Sequence, residues 1–430
     1  MTEMTATEAA ALLRPVDAIG VPLGPGQPIE FLHALGARTD WEQLDVLCAM
    51  LVDFYELPTR PGVRTLSTFY GPAERIYRDS GAQIEFIPAD YRKWAPILDE
   101  RRPRVMCTVG AEPDADGYIS LSCHAGSTTV ALAEAAADPD RLVIVEVSPH
   151  YPRTRGLGSE HGHRLHISDV DGLIRSDRHP VELADPLSGD VEAAIALAAR
   201  RFIHDGSTLQ TGFGSIPTAV ASVLAFGEGG DYGVHSEMFT TGLMRLHQAG
   251  KVSNLRKGIF PEVSITTFAA GATELYEWLD GEQAVAFVPV DVVNNPATIA
   301  ANRNMVTING AIEVDLSGQV VADTIGGTQW SGIGGHEDFV SGGGRESDDR
   351  SLICLPSTTT VNGVMVSRIT AHLRTGAIVT TPRHQVDVVI TEHGVAELRG
   401  RTTRERAAAL AEIAHPQFRD ELRSTIADRC

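Results

Sequence analysis

One acidic residue interrupts an apolar, strand-like stretch near the middle of the chain. Glu237 lies in the segment Gly233-Val-His-Ser-Glu-Met-Phe239. Burial of a carboxylate raises its pKa and costs free energy unless the group is paired or used. Two interpretations are therefore open, an ion-paired glutamate of the core and a catalytic carboxylate. We expect His235, on the same strand face, to pack or to orient a neighbour, because no second ligand follows at metal-binding spacing.

A glycine-rich turn lies upstream of this acid, between a predicted strand and a predicted helix. The segment reads Thr208-Leu-Gln-Thr-Gly-Phe-Gly-Ser-Ile-Pro217. Backbone N–H groups at the start of such a helix suit a phosphate or another anion. Pro217 stands where a dinucleotide fingerprint has its third glycine, and no Gly-Lys-Ser/Thr follows, so this is neither that fingerprint nor a Walker loop. On these residues alone, a structural turn and a binding loop both remain open.

Two further segments follow the acid. Ser331-Gly-Ile-Gly-Gly-His-Glu-Asp338 is dense in glycine, which permits unusual φ angles and close approach of backbone to a ligand, although a flexible loop has the same composition. Val293-Asn-Asn-Pro296 leads into a predicted helix, and Asn before Pro is common in turns. The sequence contains no metal-binding cluster, no Ser-His-Asp signature and no lysine in an obvious Schiff-base setting. Together the segments give an acid on a predicted strand, a Gly-x-Gly loop before it and a Gly-Gly loop after it.

Strands and helices that alternate along the chain must position these segments. Apolar runs bounded by Gly, Pro or Asp predict buried strands, and periodic patterns between them predict helices, which together favour an α/β fold with a mostly parallel sheet. Strands are predicted at 44–54, 63–69, 104–109, 142–147, 208–211, 264–268, 284–293, 352–355 and 386–391, and helices at 6–13, 28–35, 126–137, 191–201 and 216–225. Residues 305–312 and 314–322 predict a hairpin around 316–319, and 402–428 predicts a helical region broken at His415-Pro416.

The length of 430 residues exceeds one core of usual size, so at least two domains are expected. A second series of elements begins near Asp190. Each series starts with a helix, a Gly-x-Gly turn and another helix, with Gly24 and Gly212 in corresponding places, which suggests a repeated half. We predict domains at 1–187 and 188–430, the second carrying Glu237.

The charge balance excludes some partners. The chain has 36 basic and 56 acidic residues, a formal charge of −20, which argues against a nucleic-acid binder but not against a small anionic ligand. Lys93, Lys251 and Lys257 are its three lysines, so almost all positive charge is arginine. Because the planar guanidinium fork suits phosphate, we expect phosphate contacts to be mostly arginine, without knowing which.

The cysteines and the apolar runs indicate a cytoplasmic protein. Five scattered cysteines without a Cys-x-x-Cys pair (Cys48, Cys107, Cys123, Cys354 and Cys430) favour free thiols in a reducing compartment over a disulfide framework or a cysteine nucleophile. The start of the chain lacks the basic and apolar regions of a secretory signal. The longest uncharged run, 206–227, contains Gln210, Pro217 and four glycines, so we expect no membrane span.

Further motifs recur in a recognisable order on both sides of Glu237. They are Pro113-Asp-x-x-Gly-Tyr-x-Ser120, Glu146-Val-Ser-Pro149, Pro152-Arg-Thr154, Ile308-Asn-Gly-Ala-Ile-Glu-Val-Asp315, Val379-Thr-Thr-Pro-Arg383, Thr391-Glu-His-Gly-Val-Ala396 and His415-Pro-x-Phe418. With the segments above, they make the chain resemble the acetyl-CoA hydrolase/transferase family, near its 4-hydroxybutyrate, butyrate and acetate CoA-transferases. Ser148 departs from that pattern, since relatives usually have Asn there.

The resemblance implies two related open α/β domains of the class I CoA-transferase fold, with the active site between them. It assigns the nucleophile to Glu237, an oxyanion N–H to Gly335 and an assisting role to Asn294. It assigns coenzyme A contacts to Gly212, Phe213, Gly214, Ser215, Ile216, Ala311, Ser331 and Gly335.

The resemblance also implies a reaction, which is ping-pong transfer of CoA between a short-chain acyl-CoA and a carboxylic acid through a glutamyl-CoA thioester. CoA and acyl-CoA are then substrates, and neither a metal nor a permanent cofactor is required. An acyl-CoA hydrolase with the same glutamate is the alternative enzyme, and a non-catalytic CoA- or nucleotide-binding protein is the alternative of another class. We expect no nucleic-acid or membrane partner, and assembly as a homodimer or homotetramer.

Overall fold

Parallel strands joined by helices form most of the chain in the computed structural model, which describes residues 2–344 and 347–427. The predicted α/β class is confirmed. Asp428, the predicted end of the last helical region, and Cys430 lie outside the described residues. Among the described residues, no helix is both long enough and apolar enough to cross a bilayer.

The strands are mostly short. In chain order they are β1 (Thr2–Glu3), β2 (Val16–Gly20), β3 (Gln43–Cys48), β4 (Val63–Ser67), β5 (Ile84–Phe86), β6 (Val105–Ala111), β7 (Tyr118–Ser120), β8 (Leu142–Ser148), β9 (Arg164–His166), β10 (Gly172–Arg175), β11 (Thr208–Thr211), β12 (Gly233–Val234), β13 (Met238–Phe239), β14 (Ser264–Thr266), β15 (Phe268–Ala269), β16 (Val285–Phe287), β17 (Met305–Gly310), β18 (Glu313–Asp315), β19 (Val320–Val321), β20 (Thr324–Ile325), β21 (Thr328–Gln329), β22 (Arg350–Cys354), β23 (Thr358–Val361), β24 (Val364–Ser367), β25 (Ile369–Thr370), β26 (Val388–Thr391) and β27 (Gly394–Glu397).

The helices connect these strands. They are α1 (Ala6–Ala10), α2 (Ile29–Ala37), α3 (Pro72–Asp79), α4 (Tyr91–Arg101), α5 (Thr129–Ala136), α6 (Asp190–Arg200), α7 (Ser215–Phe226), α8 (Thr241–Gln248), α9 (Thr273–Leu279), α10 (Val290–Val293), α11 (Pro296–Ala300), α12 (His336–Gly342), α13 (Thr403–Ile413) and α14 (Pro416–Ala427), with short 3₁₀ turns at Gly24–Gly26, Leu57–Thr59 and Ile167–Asp169.

Two compact units divide the chain, and neither is continuous in sequence. The first comprises residues up to Ala184 together with Glu237–Phe239 and Ile265–Asn294, and the second comprises the rest. Units defined by contacts need not coincide with domains defined by ancestry, so the domain prediction of 1–187 and 188–430 stays a prediction.

The first unit contains an eight-stranded sheet in the order β1-β10-β8-β6-β2-β3-β4-β5. Neighbouring strands are parallel throughout. Ile144 packs into the apolar cluster on one face of β8, whereas Val143 and Val145 pack into the cluster on the other. Helices must cover both faces of such a sheet, which explains why β8 reads as a continuous apolar run rather than an alternating one.

The second unit contains a six-stranded sheet in the order β12-β11-β17-β22-β26-β27. Its strands are parallel except for the antiparallel pair β26 and β27. In each unit the strand that ends in a Gly-x-Gly turn, β2 or β11, lies between the next strand of its sheet and a later one. This shared local topology is what a repeated half predicts.

Most predicted elements are present within a few residues of their expected limits, but three predictions were wrong. The strand expected at 44–54 ends at Cys48, because Met50 has a φ of 44°, which a strand does not tolerate. The strand expected at 284–293 ends at Phe287, and Val290–Val293 is a helix that starts after Pro289. Valine favours strands, but Pro289 has no N–H to donate to a strand ladder, so the strand ends before it and a helix can begin after it.

The third error concerns the hairpin. Its turn at 316–319 is present, and β18 pairs antiparallel with β19 across it. Its expected first arm, residues 305–312, is instead β17, a parallel strand in the middle of the six-stranded sheet. Apolar alternation indicates a strand but does not identify the strand that pairs with it. The sequence therefore pairs 305–312 with the adjacent run 314–322, whereas the structure pairs β17 with β11 and β22.

Lys257 is a buried cation that ties two segments of the second unit together. Its ammonium group donates to the carbonyl oxygens of Val234 (2.9 Å) and Val263 (2.8 Å), and the residue is 6% exposed. A Cβ on Gly233 would lie 2.5 Å from the Lys257 Cγ, so glycine leaves the space for this side chain. Burial lowers the pKa of Lys257 to about 7.

We predict that this lysine makes stability depend on pH. Between pH 7 and the ordinary lysine pKa near 10.4, the unfolded chain binds a proton that the folded chain has lost, so the lysine's contribution to stability rises with pH. Lys257→Met removes this dependence. The stability of the wild type relative to the variant should therefore grow by up to about 3 kcal/mol from pH 7 to 9.5, measured by urea unfolding.

Lys251→Met is the matched control. Lys251 also donates to two backbone carbonyls, those of Gly227 and Gly229, but it is only half-buried. Its replacement should lower stability through the loss of these two hydrogen bonds, which measures the cost of removing a lysine that is not fully buried. A flat difference between the wild type and Lys257→Met would contradict the prediction.

Candidate active site

Glu237 lies at a bend, not on a strand, which corrects the sequence interpretation. It follows β12 and immediately precedes β13. Its backbone carbonyl accepts hydrogen bonds from the N–H groups of Thr267 (3.0 Å) and Phe268 (3.2 Å) and from the Thr266 hydroxyl (2.9 Å). A carbonyl with three donors is held firmly, so the backbone that carries the Glu237 side chain is fixed in position.

Asn294 holds the side chain of Glu237. The Asn294 Nδ2 donates to the Glu237 Oε2 at 2.5 Å. Asn294 is fully buried at the end of α10, where its own N–H donates to the Val290 carbonyl (2.8 Å). Hydrogen bonds between an amide and a carboxylate are short and strong, so this one selects one orientation of the acid. Both residues belong to the first unit, and the structure brings these two predicted residues together.

Tyr91 and His124 form a second buried pair near this acid. The Tyr91 hydroxyl and His124 Nε2 are 3.1 Å apart, and both side chains are almost completely buried. Burial lowers the pKa of His124 to about 3, so the imidazole is neutral at ordinary pH. Burial and the negative charge of Glu237 both raise the pKa of Tyr91, so the phenol keeps its proton. The pair offers a neutral, polar surface next to a carboxylate.

Two glycines make room for the His124 ring. A Cβ on Gly126 would lie 2.1 Å from the His124 Cε1 and 2.7 Å from the Tyr91 hydroxyl, and Gly126 has a φ of 54°. A Cβ on Gly26 would lie 2.7 Å from the His124 Cγ. Sequence reasoning missed this pair because Tyr91 is far from Glu237 along the chain. The short polar and glycine-rich segment around His124, ahead of α5, was the only signal.

The predicted anion loop has the local structure that a binding loop requires. β11 ends at Thr211 and α7 begins at Ser215. Gly214 is the N-cap residue with a φ of 138°, a conformation open only to glycine. The first turn of α7 contains no acidic residue, so its N–H groups and the positive end of the helix dipole are not offset locally.

A cavity of about 230 Å³ in the second unit adjoins this loop. Six of the predicted CoA contacts line it, namely Gly212, Phe213, Gly214, Ser215, Ile216 and Ala311. Its other lining residues include Asn309 and Arg368. Ser331 and Gly335, also in the second unit, are not among the residues that line this cavity.

Gly335 caps the N-terminus of α12, and its carbonyl accepts from the Phe339 N–H at 3.0 Å. The preceding Gly334 has a φ of 55°. His336, the first residue of α12, has its pKa lowered to about 4 by burial, and its Nε2 lies 2.8 Å from the Thr381 hydroxyl. The Ser331 N–H donates to the Asp323 carbonyl at 3.0 Å. The predicted oxyanion and CoA roles of Gly335 and Ser331 stay predictions.

His235 and the described cysteines, which the sequence also singles out, lie in buried, packed surroundings. The buried His235 packs against Phe339, with ring centroids 6.4 Å apart, which agrees with its expected packing role. Over residues 2–344 and 347–427, no group of three or more His, Cys, Asp or Glu side chains has a geometry that would hold a metal ion. Cys48, Cys107, Cys123 and Cys354 are all buried free thiols, and burial raises the pKa of each.

Comparisons with known proteins identify a matching family model and similar proteins. Residues 271–426 match the model of the acetyl-CoA hydrolase/transferase C-terminal domain. The chain is 37% identical over 404 residues to 4-hydroxybutyrate coenzyme A transferase of Clostridium kluyveri, a match that covers 92% of this chain and 90% of that protein. It is 40% identical over 321 residues to a probable butyrate:acetyl-CoA coenzyme A-transferase of Syntrophomonas wolfei, covering 74% and 69% of the two chains.

Solved structures and a more distant relative extend the comparison. RipA from Yersinia pestis superposes with a TM-score of 0.90 at 30% identity, over 99% of this chain and 97% of that one. A shorter match joins 50% of this chain, at 25% identity, to 39% of an acetyl-CoA hydrolase of Yarrowia lipolytica.

We predict that Gly126→Ala destabilises the protein through the His124 ring. The new Cβ would overlap the ring and would also require a left-handed backbone, so a loss of about 2–4 kcal/mol is expected in urea unfolding. Gly162→Ala, at an exposed site where a Cβ meets nothing within 4 Å, should change stability little.

The His124→Ala background tests the cause. Without the ring, Gly126→Ala should cost clearly less, because only the backbone strain of about 1 kcal/mol and the contact with the Tyr91 hydroxyl remain. An equal loss in both backgrounds would contradict a role for the ring.

Proposed function

The chain belongs to the acetyl-CoA hydrolase/transferase family, and from that premise we propose that it moves CoA between a short-chain acyl-CoA and a carboxylic acid. Its units have the class I CoA-transferase fold, as its structural relatives do. The observation that carries the proposal is the contact between Glu237 and Asn294, in which a buried amide orients a carboxylate on a fixed backbone. Acetate, butyrate and 4-hydroxybutyrate are the acids that we propose first.

The proposed reaction uses Glu237 as a covalent nucleophile. Its carboxylate attacks the acyl-CoA carbonyl carbon, the carbon–sulfur bond breaks, and a mixed anhydride forms as the CoA thiolate leaves. The thiolate then attacks the Glu237 carbonyl carbon and expels the donor acid as its carboxylate, which leaves a glutamyl-CoA thioester. An acceptor carboxylate reverses both steps and leaves as the new acyl-CoA. Every bond broken is matched by one formed, and no proton has to move.

A carboxylate is a weak nucleophile, so the surrounding residues must contribute. We propose that Asn294 fixes the reactive orientation of Glu237, so that the attack does not begin with a search among rotamers. We assign the oxyanion N–H to Gly335, a contribution of about 3–4 kcal/mol for one donor. We assign CoA contacts to Gly212–Ile216, Ala311 and Ser331, whose binding energy drives the reacting atoms together.

Water is the competitor for both acyl intermediates. If water reached the anhydride or thioester, the same Glu237 would make the protein an acyl-CoA hydrolase. The partial match to an acetyl-CoA hydrolase favours keeping this as the second candidate. The longer matches at higher identity are to proteins named transferases, which favours transfer.

The remaining assignments complete the proposal. We propose that CoA and acyl-CoA act only as substrates, with no metal or permanent cofactor, and that the partners are small molecules rather than nucleic acid or membrane. We place the protein in the cytoplasm, where buried free thiols persist, and we propose a homodimer or homotetramer.

We predict that acyl-CoA turnover depends on an acceptor acid. With butyryl-CoA alone, release of free CoA should be slow, and added acetate should convert butyryl-CoA to acetyl-CoA, as followed by chromatography. Glu237→Ala should abolish both processes, whereas Glu277→Ala, at an exposed position of α9, should preserve them. CoA release at the same rate with and without acetate would contradict transfer and support the hydrolase.

We also predict that the enzyme can be trapped as a thioester. After incubation with acyl-CoA and no acceptor, borohydride should reduce a glutamyl thioester to an alcohol, and the peptide that contains Glu237 should change in mass. Asn294→Ala should slow formation of the trapped species, because the acid loses its fixed orientation. An unmodified Glu237 peptide from an enzyme that is turning over would contradict the covalent mechanism.

A further inference from the structure

Arg368 is held in place by its backbone at one wall of the cavity beside the Gly212–Ile216 loop. It lies between β24 and β25, where its N–H donates to the Ser357 carbonyl (2.8 Å) and its carbonyl accepts from the Val314 N–H (2.9 Å). Arg368 is one of the residues that line the cavity of about 230 Å³. That volume has room for several water molecules or for a phosphate-sized anion.

The guanidinium of Arg368 has a buried donor without an acceptor among the described residues. In the part of the chain that the structure describes, its Nε is buried and has no hydrogen-bond partner. Burial lowers the pKa of Arg368, and only the more distant charge of Glu392 opposes that effect. Both oxygens of Glu392 are already bonded to Ser357, through its N–H (2.8 Å) and its hydroxyl (2.5 Å). Because arginine stays charged, a half-buried guanidinium with one buried, unpaired donor favours an anionic ligand that can pair with it.

The other walls of the cavity favour an anion. Of the described residues that line it, Arg368 is the one with a formal charge, and none is Asp or Glu. The N-terminus of the twelve-residue α7 opens onto it at Ser215, and the first turn of that helix carries no acid. Although the chain has a formal charge of −20, the one cation and the helix N-terminus at this cavity give it a local preference for an anion.

We propose that Arg368 and the N-terminus of α7 bind a phosphate of the CoA nucleotide, with Arg368 as the cation that pairs with it. This inference rests on the proposed function for the identity of the ligand, since acyl-CoA is the anionic substrate of that reaction. CoA carries phosphate groups in two places, the diphosphate and the 3′-phosphate, and both present the same kind of anionic oxygen. Arginine suits either, because its fork donates two parallel hydrogen bonds to phosphate oxygens.

The test compares Arg368→Met with the wild type on three substrates. With acyl-CoA, the variant should raise KM by about 10- to 100-fold, the range of a charge-assisted hydrogen bond, and change kcat little. With acyl-pantetheine, which has no phosphate, the two proteins should have the same kcat/KM. With acyl-dephospho-CoA, a persisting defect assigns the diphosphate and a vanished defect assigns the 3′-phosphate. An equal defect with acyl-pantetheine would overturn the proposal.

Control variants separate pairing from charge and folding. Arg374→Ala removes one positive charge from an exposed position of the same unit and should leave KM unchanged. Arg368→Lys keeps the charge without the fork and should lie between the wild type and Arg368→Met. Because Arg368 is unpaired without ligand, Arg368→Met should unfold at the same or a higher temperature than the wild type. Saturating CoA should then raise that temperature less than it does in the wild type.

Failure of this inference can be distinguished from failure of the proposed function. If no acceptor-dependent transfer occurs, binding of CoA to the wild type and to Arg368→Met by calorimetry still measures the contact. A loss of affinity of about 10-fold or more supports the phosphate site, and equal affinities overturn it.

Discussion

Three donors converge on the backbone carbonyl of Glu237, and the geometry around the acid depends on that convergence. They come from Thr266, Thr267 and Phe268, so the acid belongs by its contacts to the first unit even though its neighbour Ser236 belongs to the second. The chain returns to the second unit after Asn294, the residue that holds the Glu237 carboxylate. Glu237 and Asn294 therefore both lie where the chain passes from one unit to the other. The hydrogen bonds from residues 266–268 fix the position of Glu237.

The amide that orients the Glu237 carboxylate carries no charge, and neither does the buried pair of Tyr91 and His124 near that acid. Asn294 is an amide, Tyr91 keeps its phenolic proton, and His124 is neutral because burial lowers its pKa to about 3. A cation in the position of Asn294 would pair with Glu237 and compete with the proposed use of that carboxylate as a nucleophile. Neutral donors orient the acid without neutralising it, a distinction that matters most where water is excluded.

The sequence predicted the local features well, because local patterns determine them. The sequence predicts the strand Thr208–Thr211 at its observed limits, since β-branched residues precede a glycine turn. It also indicates both Glu237 and Asn294, the two residues that the hydrogen bond joins. The sequence could not show that Glu237 lies at a bend, because a short apolar stretch looks the same on either side of a break. The valines of α10 read as a strand, and Tyr91 and His124 became neighbours of the acid only through folding. The sequence does not distinguish Arg368 from the other arginines, because its unpaired Nε is a property of the folded chain alone.

The net charge of −20 and an anionic substrate are compatible because the two act over different distances. At physiological ionic strength, exposed charges are screened beyond about 8 Å, so most of the surface carboxylates contribute little to the potential inside a small cavity. The Arg368 guanidinium and the first turn of α7 lie at its walls, where the lower dielectric strengthens their attraction for a phosphate. The backbone N–H and carbonyl of Arg368 are both hydrogen-bonded, and its Nε has no partner in the part of the chain that the structure describes. Under the proposal, a phosphate therefore does not have to displace an internal ion pair when it binds.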